Sequence, residues 1–156
     1  MLNHIDKKNK PSMVNIGSKD VTKRSAIASA SIIFPKSINF KSKELITKKG
    51  PVIDTAIIAG VMAAKKTHDL IPFCHPVQID KCDITIEWVS DLEILIKCSV
   101  SSTYKTGVEM EALTGASVSA LTVYDMCKAL SHEILIKDIK LLSKSGGKSN
   151  YQSAND

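Results

Sequence analysis

A carboxylate and an ammonium group stand three residues apart in a largely apolar stretch of this 156-residue chain. In a helix, Asp125 and Lys128 would share one face and could pair there. An unpaired charge buried on an apolar face costs several kcal/mol, so the two groups need each other or a ligand. The pair is either a salt bridge, which is the commoner use, or an acid–base couple in which each partner shifts the pKa of the other.

The same stretch carries two more carboxylates, Glu109 and Glu111. In one straight helix Glu111 would lie about 21 Å from Asp125, and Glu109 would point nearly opposite to Asp125. One compact ligand cannot touch both ends of such a helix. Either Asp125 and Lys128 act without the glutamates, or two subunits pool opposite ends of their helices.

Histidine 75 lies in a loop that two prolines constrain. Pro72 and Pro76 bracket Phe-Cys-His at residues 73–75 and exclude a helix there. A lone histidine is more often structural, but a fixed loop and a titration range near neutrality favour proton transfer or phosphate binding. His68 lies seven residues earlier, a poor spacing for two metal ligands on one helix, so we predict no metal site.

Glycines and lysines near the C-terminus resemble a phosphate-binding loop only superficially. The segment 144–149 reads KSGGKS, but Leu142 stands where that motif requires glycine. Two glycines still let backbone amides approach an anion, and Lys144 and Lys148 add positive charge. A flexible basic tail explains the segment equally well. Lys49, before Gly50, is either another phosphate ligand or a solvated helix end.

Composition narrows the class of protein. The chain is 44% hydrophobic and 24% charged, which fits one soluble domain, and no apolar run reaches membrane-spanning length. Residues 1–7 lack the apolar core of a signal peptide, so we do not expect secretion. The four cysteines show no zinc spacing, and in a reducing compartment we expect them to be buried thiols. The expected location is the cytoplasm, with an organelle matrix as the alternative if a presequence was removed. The net charge of +5 favours an anionic partner such as a nucleotide, although a solvated tail explains lysines near the N-terminus, including Lys19.

The hydrophobic pattern predicts an α+β fold. Strands are predicted at 24–34, 77–88, 92–100 and 134–142, and helices at 42–49 (closed by Gly50), 55–66 (capped by Asp54) and 107–130. The main elements follow the ferredoxin-like order β-α-β-β-α-β, an antiparallel sheet with helices on one face. The other sheet face would need cover from the N-terminal segment or from another subunit, so we expect oligomerisation. We expect a single catalytic domain at 13–148 between a flexible segment, 1–12, and a flexible tail, 149–156.

Four segments together resemble the cyclic pyranopterin monophosphate synthases, the molybdenum cofactor biosynthesis protein C family. They are 69–76 (DLIPFCHP), 105–114 (KTGVEMEALT), 124–128 (YDMCK) and 142–149 (LSKSGGKS), and the resemblance extends over residues 13–149. The departures are mild: Phe73 replaces the usual leucine, and Asn15 stands where aspartate is common.

The resemblance implies a ferredoxin-like subunit of a homohexamer, a trimer of dimers with active sites at the dimer interface. The implied reaction is that of a lyase without a cofactor or metal. It converts (8S)-3′,8-cyclo-7,8-dihydroguanosine 5′-triphosphate into cyclic pyranopterin monophosphate and releases diphosphate. Neither nucleic acid nor membrane is an implied partner.

The family's site residues carry over by position. Asp125 would hold the catalytic role, with Lys128 as its proton-transfer partner. The substrate-binding residues would be Phe73, Cys74, His75, Met110, Glu111, Glu109, Lys49, Arg24 and Lys144.

Two other interpretations stay open. One is a small basic nucleotide- or RNA-binding module on the same scaffold, although its strands lack the clustered aromatic residues on which such modules stack bases. The other is an inactive homologue that only fills an oligomer. Against it, the chain keeps the groups that the family motifs require, namely Asp125, Lys128, His75, Glu109, Glu111 and Lys144.

Overall fold

A computed structural model describes residues 10–40 and 42–154 of the chain. The strands are β1 (Thr22–Ile33), β2 (Ile46–Thr47), β3 (Gly50–Pro51), β4 (Lys81–Trp88), β5 (Glu93–Tyr104), β6 (Leu135–Ser145) and β7 (Tyr151–Gln152). The helices are α1 (Val52–Ala64), α2 (Thr67–Leu70) and α3 (Glu109–Cys127). None of these helices is long and apolar enough to cross a membrane.

Strands β4, β5, β1, β6 and β7 form one sheet in that spatial order, and each neighbouring pair is antiparallel. Apart from the short elements, the chain order is β-α-β-β-α-β. The predicted ferredoxin-like, α+β fold is therefore confirmed. The central strand β1 pairs with β5 over its whole length, from Thr22 opposite Tyr104 to Ile33 opposite Glu93.

Both long helices pack on the same face of the sheet. Ile84 of β4 and Cys98 of β5 are register partners, and α1 approaches the first while α3 approaches the second. On β4 the alternate residues, including Thr85 and Glu87, are exposed, as Lys97 is on β5. The structure thus leaves a polar sheet face without a helix in the part of the chain that it describes.

Small residues let α3 lie close to its neighbours. Its buried face is made largely of alanine, glycine and serine, and the core face of β1 carries three buried alanines. A Cβ added at Gly60 of α1 would overlap Ser119 Oγ and Ile84 Cδ1 and would come within 2.8 Å of the Gly115 carbonyl oxygen. The two helices therefore meet backbone to backbone.

The segment predicted as a helix at 42–49 contains no helix, so that prediction was wrong: its second half begins a β-hairpin that covers residues 46–51. Strands β2 and β3 pair through Ile46 opposite Pro51 and Thr47 opposite Gly50, which leaves only two residues in the turn. Gly50 has φ 109°, a conformation that glycine adopts readily. The glycine that resembled a helix C-terminus is instead the first residue of β3, directly after this tight turn.

Several boundaries also differ from the sequence prediction. Helix α1 begins at Val52 rather than Thr55, and Asp54 lies in its first turn instead of capping it. A carboxylate there still favours the helix dipole. Strand β4 begins at Lys81 rather than residue 77, and β5 continues to Tyr104 rather than ending at residue 100.

The chain ends were predicted to be flexible over residues 1–12 and 149–156. Residues 1–9, 155 and 156 lie outside the described part of the chain. Within the predicted tail, Tyr151 and Gln152 form β7 and pair with Lys144 and Ser143 of β6. A short strand therefore lies within the predicted tail, and the low apolar content of residues 149–156 is no signal for it.

The α1–α3 contact predicts the effect of one added methyl group. Gly60→Ala should lower the free energy of unfolding by about 1–3 kcal/mol, because overpacking outweighs the better helix propensity of alanine. Chemical denaturation would measure this change. As a control, Ile58→Ala on the exposed side of α1 should stay within about 0.5 kcal/mol of the unaltered chain. Equal stability of Gly60→Ala and the unaltered chain would contradict the close packing.

Candidate active site

Two groups of charged side chains lie at opposite ends of α3. At the C-terminal end, the Lys128 ammonium is 2.7 Å from Asp125 Oδ1, and the Lys49 ammonium is 2.7 Å from Asp125 Oδ2. Lys49 also donates to the Asp125 carbonyl oxygen at 3.0 Å. We call Lys49, Asp125 and Lys128 the triad. Lys49 reaches it from the β2–β3 turn, so the hairpin places the second cation.

The ammonium groups of Lys128 and Lys49 both stabilise the Asp125 carboxylate. Hydrogen bonds from Lys128 and then Lys49 lower the pKa of Asp125 to about 2. The hydrogen bond to Asp125 raises the pKa of Lys128 above its ordinary value. Near neutral pH the triad is therefore an ion cluster with one net positive charge. Lys128 would release a proton more readily if its contact with Asp125 were broken.

A largely apolar cavity of about 670 Å³ adjoins the triad. Lys49 lies at its edge, and two of its lining side chains, Ile46 and Leu130, are 70% and 52% exposed. The remaining apolar lining comes from Ile38, Phe40, Leu45, Met126 and Ala129. This end of α3 therefore combines fixed charge with uncovered apolar surface.

The N-terminal end of α3 carries a second ion pair. Lys144 of β6 is 3.0 Å from Glu109 Oε1, and each side chain is about one-third exposed. Arg24 of β1 donates from Nε to the Tyr104 carbonyl oxygen at 3.4 Å. Its guanidinium lies against Gly147, where an added Cβ would overlap Nη1 and come within 2.9 Å of Cζ.

These groups surround a polar cavity of about 430 Å³, which we call the basic pocket. Gly146 and Gly147 border it with φ values of 87° and 78°, so the two glycines form the turn between β6 and β7. The charged side chains that line the pocket are Lys19, Asp20, Arg24, Lys105, Glu109, Lys144 and Lys148. With five cations and two carboxylates, the pocket is suited to an anionic ligand.

A third cavity, of about 490 Å³, lies beside the basic pocket and shares Gly107 and Glu109 with it. We call it the loop pocket, because the proline-bracketed loop forms one wall. The sequence-predicted residues that line it are Phe73, Cys74, His75, Glu109, Met110 and Glu111. Phe73 and Met110 are 41% and 36% exposed, and so offer apolar surface to a ligand.

Glu111 is the buried carboxyl group of the loop pocket, with 4% of its surface exposed. Burial is the largest cause that raises its pKa, and the charge of Glu109 adds to the shift. Burial and then the charge of Glu111 raise the pKa of the Cys74 thiol. Cys74 is therefore held as a thiol rather than a thiolate nucleophile.

The structure thus brings most of the predicted residues together but divides the set in two. Arg24, Lys144 and the lining of the loop pocket lie at one end of α3, while Lys49, Asp125 and Lys128 lie at the other. At 1.5 Å per residue, Glu111 and Asp125 are about 21 Å apart along the helix. Within the described residues, no group of three or more metal-ligating side chains is close enough to hold a metal ion.

Sequence reasoning missed two cations of the basic pocket. Lys19 had been explained as part of a solvated tail, and Lys105 belongs to a quoted motif but received no role. Lys105 Nζ donates to the Gly17 carbonyl oxygen at 2.7 Å and so ties the N-terminal segment to the pocket. The position of Lys105 directly before Thr-Gly was the only local signal for it.

The fold and these pockets define a ferredoxin-like domain with a site suited to an anionic, partly apolar ligand. The chain belongs to the MoaC family, whose model matches residues 13–147. It is 50% identical to a protein of Xanthomonas axonopodis pv. citri named cyclic pyranopterin monophosphate synthase, over 98% of this chain and 94% of the relative. A Campylobacter jejuni protein of the same name is 47% identical over 95% of both chains. The Synechocystis molybdenum cofactor biosynthesis bifunctional protein is 51% identical over 96% of this chain but 45% of its own length.

The raised pKa of Glu111 predicts how stability depends on pH. The native state holds this proton more tightly than the unfolded chain, so stability should fall as pH rises from about 4.5 through the raised native pKa. Glu111→Gln removes the ionisation and keeps the shape. It should therefore gain stability relative to the unaltered chain between pH 4 and pH 7, as denaturant unfolding at each pH would show.

The exposed residue Glu87 supplies the control for this measurement. Glu87→Gln should change stability little at either pH. A stability difference between Glu111→Gln and the unaltered chain that stayed constant with pH would contradict the raised pKa.

Proposed function

We propose that this protein is a cyclic pyranopterin monophosphate synthase. It would convert (8S)-3′,8-cyclo-7,8-dihydroguanosine 5′-triphosphate into cyclic pyranopterin monophosphate and release diphosphate. The observation that carries the proposal is 47–51% identity, over nearly the whole chain, to proteins with that name. The arrangement of charge at the two ends of α3 supports it independently.

The basic pocket is suited to the triphosphate. Arg24, Lys105 and Lys144 can neutralise phosphate oxygens, and the ordered turn at Gly146 and Gly147 leaves its backbone accessible. The adjoining loop pocket would hold the cyclised purine against Phe73 and Met110. Because the two cavities share Gly107 and Glu109, one extended ligand could occupy both.

The triad is suited to proton transfer and to the leaving group. Rearranging a purine to a pyranopterin needs several proton transfers, and closing the cyclic phosphate expels diphosphate. An incoming group that breaks the contact between Asp125 and Lys128 would leave Asp125 paired with Lys49 only. Lys128 would then act as general acid. The two ammonium groups would also offset the charge that develops on the departing diphosphate. The residues supply this chemistry without a cofactor.

One subunit would not build this site alone. The basic and loop pockets of one subunit would face the triad of another, because about 21 Å of rigid helix separates the two sets within a chain. Uncovered Ile46 and Leu130 beside the triad, and the polar sheet face without a helix, are available for such contacts. We propose a homohexamer, a trimer of dimers, that uses these surfaces.

Cysteine chemistry supports a cytoplasmic enzyme. All four cysteines are free thiols in the structure, although Cys82 and Cys98 lie close enough for a hydrogen bond. Free thiols are typical of a reducing compartment. Neither nucleic acid nor membrane is needed as a partner.

The rival function of an RNA- or nucleotide-binding module receives less support. Such modules stack bases on aromatic residues of an open sheet face. Here Phe34, Phe40 and Trp88 pack on one another, with ring centroids 4.7–5.6 Å apart. The exposed residues of β4 are instead charged or small and polar. The open face therefore offers no stacking platform on this strand.

Incubation with the cyclic guanosine triphosphate intermediate, followed by detection of the pterin product, tests the function directly. Lys128→Ala and Asp125→Ala should each lower turnover by about 10²–10⁴-fold, because each removes a proton-transfer group. Circular dichroism would establish that both variants fold. Lys81→Ala, which removes an exposed ammonium on β4, is the matched control and should keep normal turnover. Normal turnover by a folded Lys128→Ala variant would refute its role.

Sharing of the site between subunits predicts complementation. Glu111→Ala and Asp125→Ala should each be inactive alone. When the two are unfolded and refolded together, some interfaces should receive an intact half from each parent and regain part of the activity. Mass spectrometry of differently tagged subunits would verify that mixed oligomers form. Mixed oligomers without activity would mean that each chain builds its own site.

A further inference from the structure

We propose that Gly107 is a positioning residue for the substrate site. Its missing side chain leaves the space in which the Glu109 carboxylate folds back and holds Lys144. This inference rests on the proposed function for its role in catalysis, but the contact that it describes can be measured without turnover.

The backbone does not explain why residue 107 is glycine. Gly50, Gly146 and Gly147 have φ values of 109°, 87° and 78°, in the region that favours glycine. Gly107 is not among the residues with positive φ. Its main chain would therefore accept an ordinary residue, and the reason for glycine lies in the surroundings.

The side chain of Glu109 occupies the space next to Gly107. A Cβ added at Gly107 would overlap Glu109 Oε2 and would lie 2.7 Å from Glu109 Cδ and 2.9 Å from Oε1. These are the three nearest atoms, and all belong to the carboxylate end of Glu109. The carboxylate therefore fills the space that the side chain of residue 107 would need.

The position of this carboxylate matters for both pockets. Glu109 is the first residue of α3, and with Gly107 it lines the loop pocket and the basic pocket. Its Oε1 lies 3.0 Å from the Lys144 ammonium. A carboxylate pushed out of this place would no longer hold the Lys144 ammonium in position, so a phosphate ligand would have to order that side chain on binding, which would weaken phosphate binding.

Stability and function should respond in opposite directions. The methyl group of Gly107→Ala would displace only the end of a flexible side chain, and alanine restricts the unfolded chain more than glycine does. The melting temperature should therefore stay the same or rise. Diphosphate binding should weaken by roughly tenfold, and KM should rise by a similar factor with a smaller change in kcat.

Ser37→Ala is the control. Ser37 is exposed and lines none of the three cavities. The substitution should leave diphosphate binding, KM and melting temperature unchanged.

A double-mutant cycle separates positioning from a general structural effect. In a Glu109→Ala background there is no carboxylate to displace, so Gly107→Ala should have no further effect on diphosphate affinity or KM. Exchange of the Lys144 Nζ protons with water, followed by nuclear magnetic resonance, should be faster in Gly107→Ala than in the unaltered chain. This exchange reports the contact even without a ligand.

Three results would overturn the proposal. They are an unchanged Lys144 exchange rate in Gly107→Ala, an equal loss of affinity in the presence and absence of Glu109, and a variant that fails to fold. Failure of the unaltered protein to form the pterin product would instead refute the proposed function. In that case the Lys144 exchange rate and the double-mutant cycle measured by diphosphate affinity would still decide whether Gly107 positions Glu109.

Discussion

The close approach of α3 to α1 and to the sheet is the constraint on which the rest of the structure depends. Gly60 lies against the backbone of Gly115, and an added Cβ at Gly115 would come within 2.6 Å of Cys98 Sγ in β5. An element packed this closely on two sides cannot tilt or slide without collisions. The 19 residues of α3 therefore act as a rigid spacer of about 27 Å, with charged groups fixed at both ends.

The carboxyl groups at the two ends of this spacer have pKa shifts in opposite directions. At one end, two ammonium groups lower the pKa of Asp125 to about 2, and at the other, burial raises the pKa of Glu111. Pairs of carboxyl groups whose environments separate their pKa values are how one site can hold both a base and an acid. Within a chain these groups are too far apart to cooperate, whereas in a site shared between subunits they would act on one ligand.

The secondary-structure elements with long periodic patterns were predicted from the sequence. Strand β1, the β4–β5 pair and α3 were located because alternation or helical spacing continues over many residues. The hairpin at β2 and β3 was not, because two-residue strands have no period to detect, and Gly50 fits a helix end as well as a turn. Most residues of the proposed site were predicted from the motifs, whereas Lys19 and Lys105, which also line the basic pocket, received no role. A lysine in a pocket and one in a solvated tail look alike in sequence.

The chain also departs from its local backbone preferences directly before the mispredicted hairpin. Leu45 is 4% exposed yet has φ 49°, a conformation that costs a residue with a branched side chain on the order of 1–3 kcal/mol. Its carbonyl oxygen accepts a 3.0 Å hydrogen bond from the Val52 amide, which joins the hairpin to the start of α1. This hydrogen bond holds the hairpin so that its turn, which contains Lys49, points towards Asp125. Local sequence preferences do not predict this conformation, because it depends on the contact between Lys49 and Asp125, two residues that lie 76 positions apart in sequence.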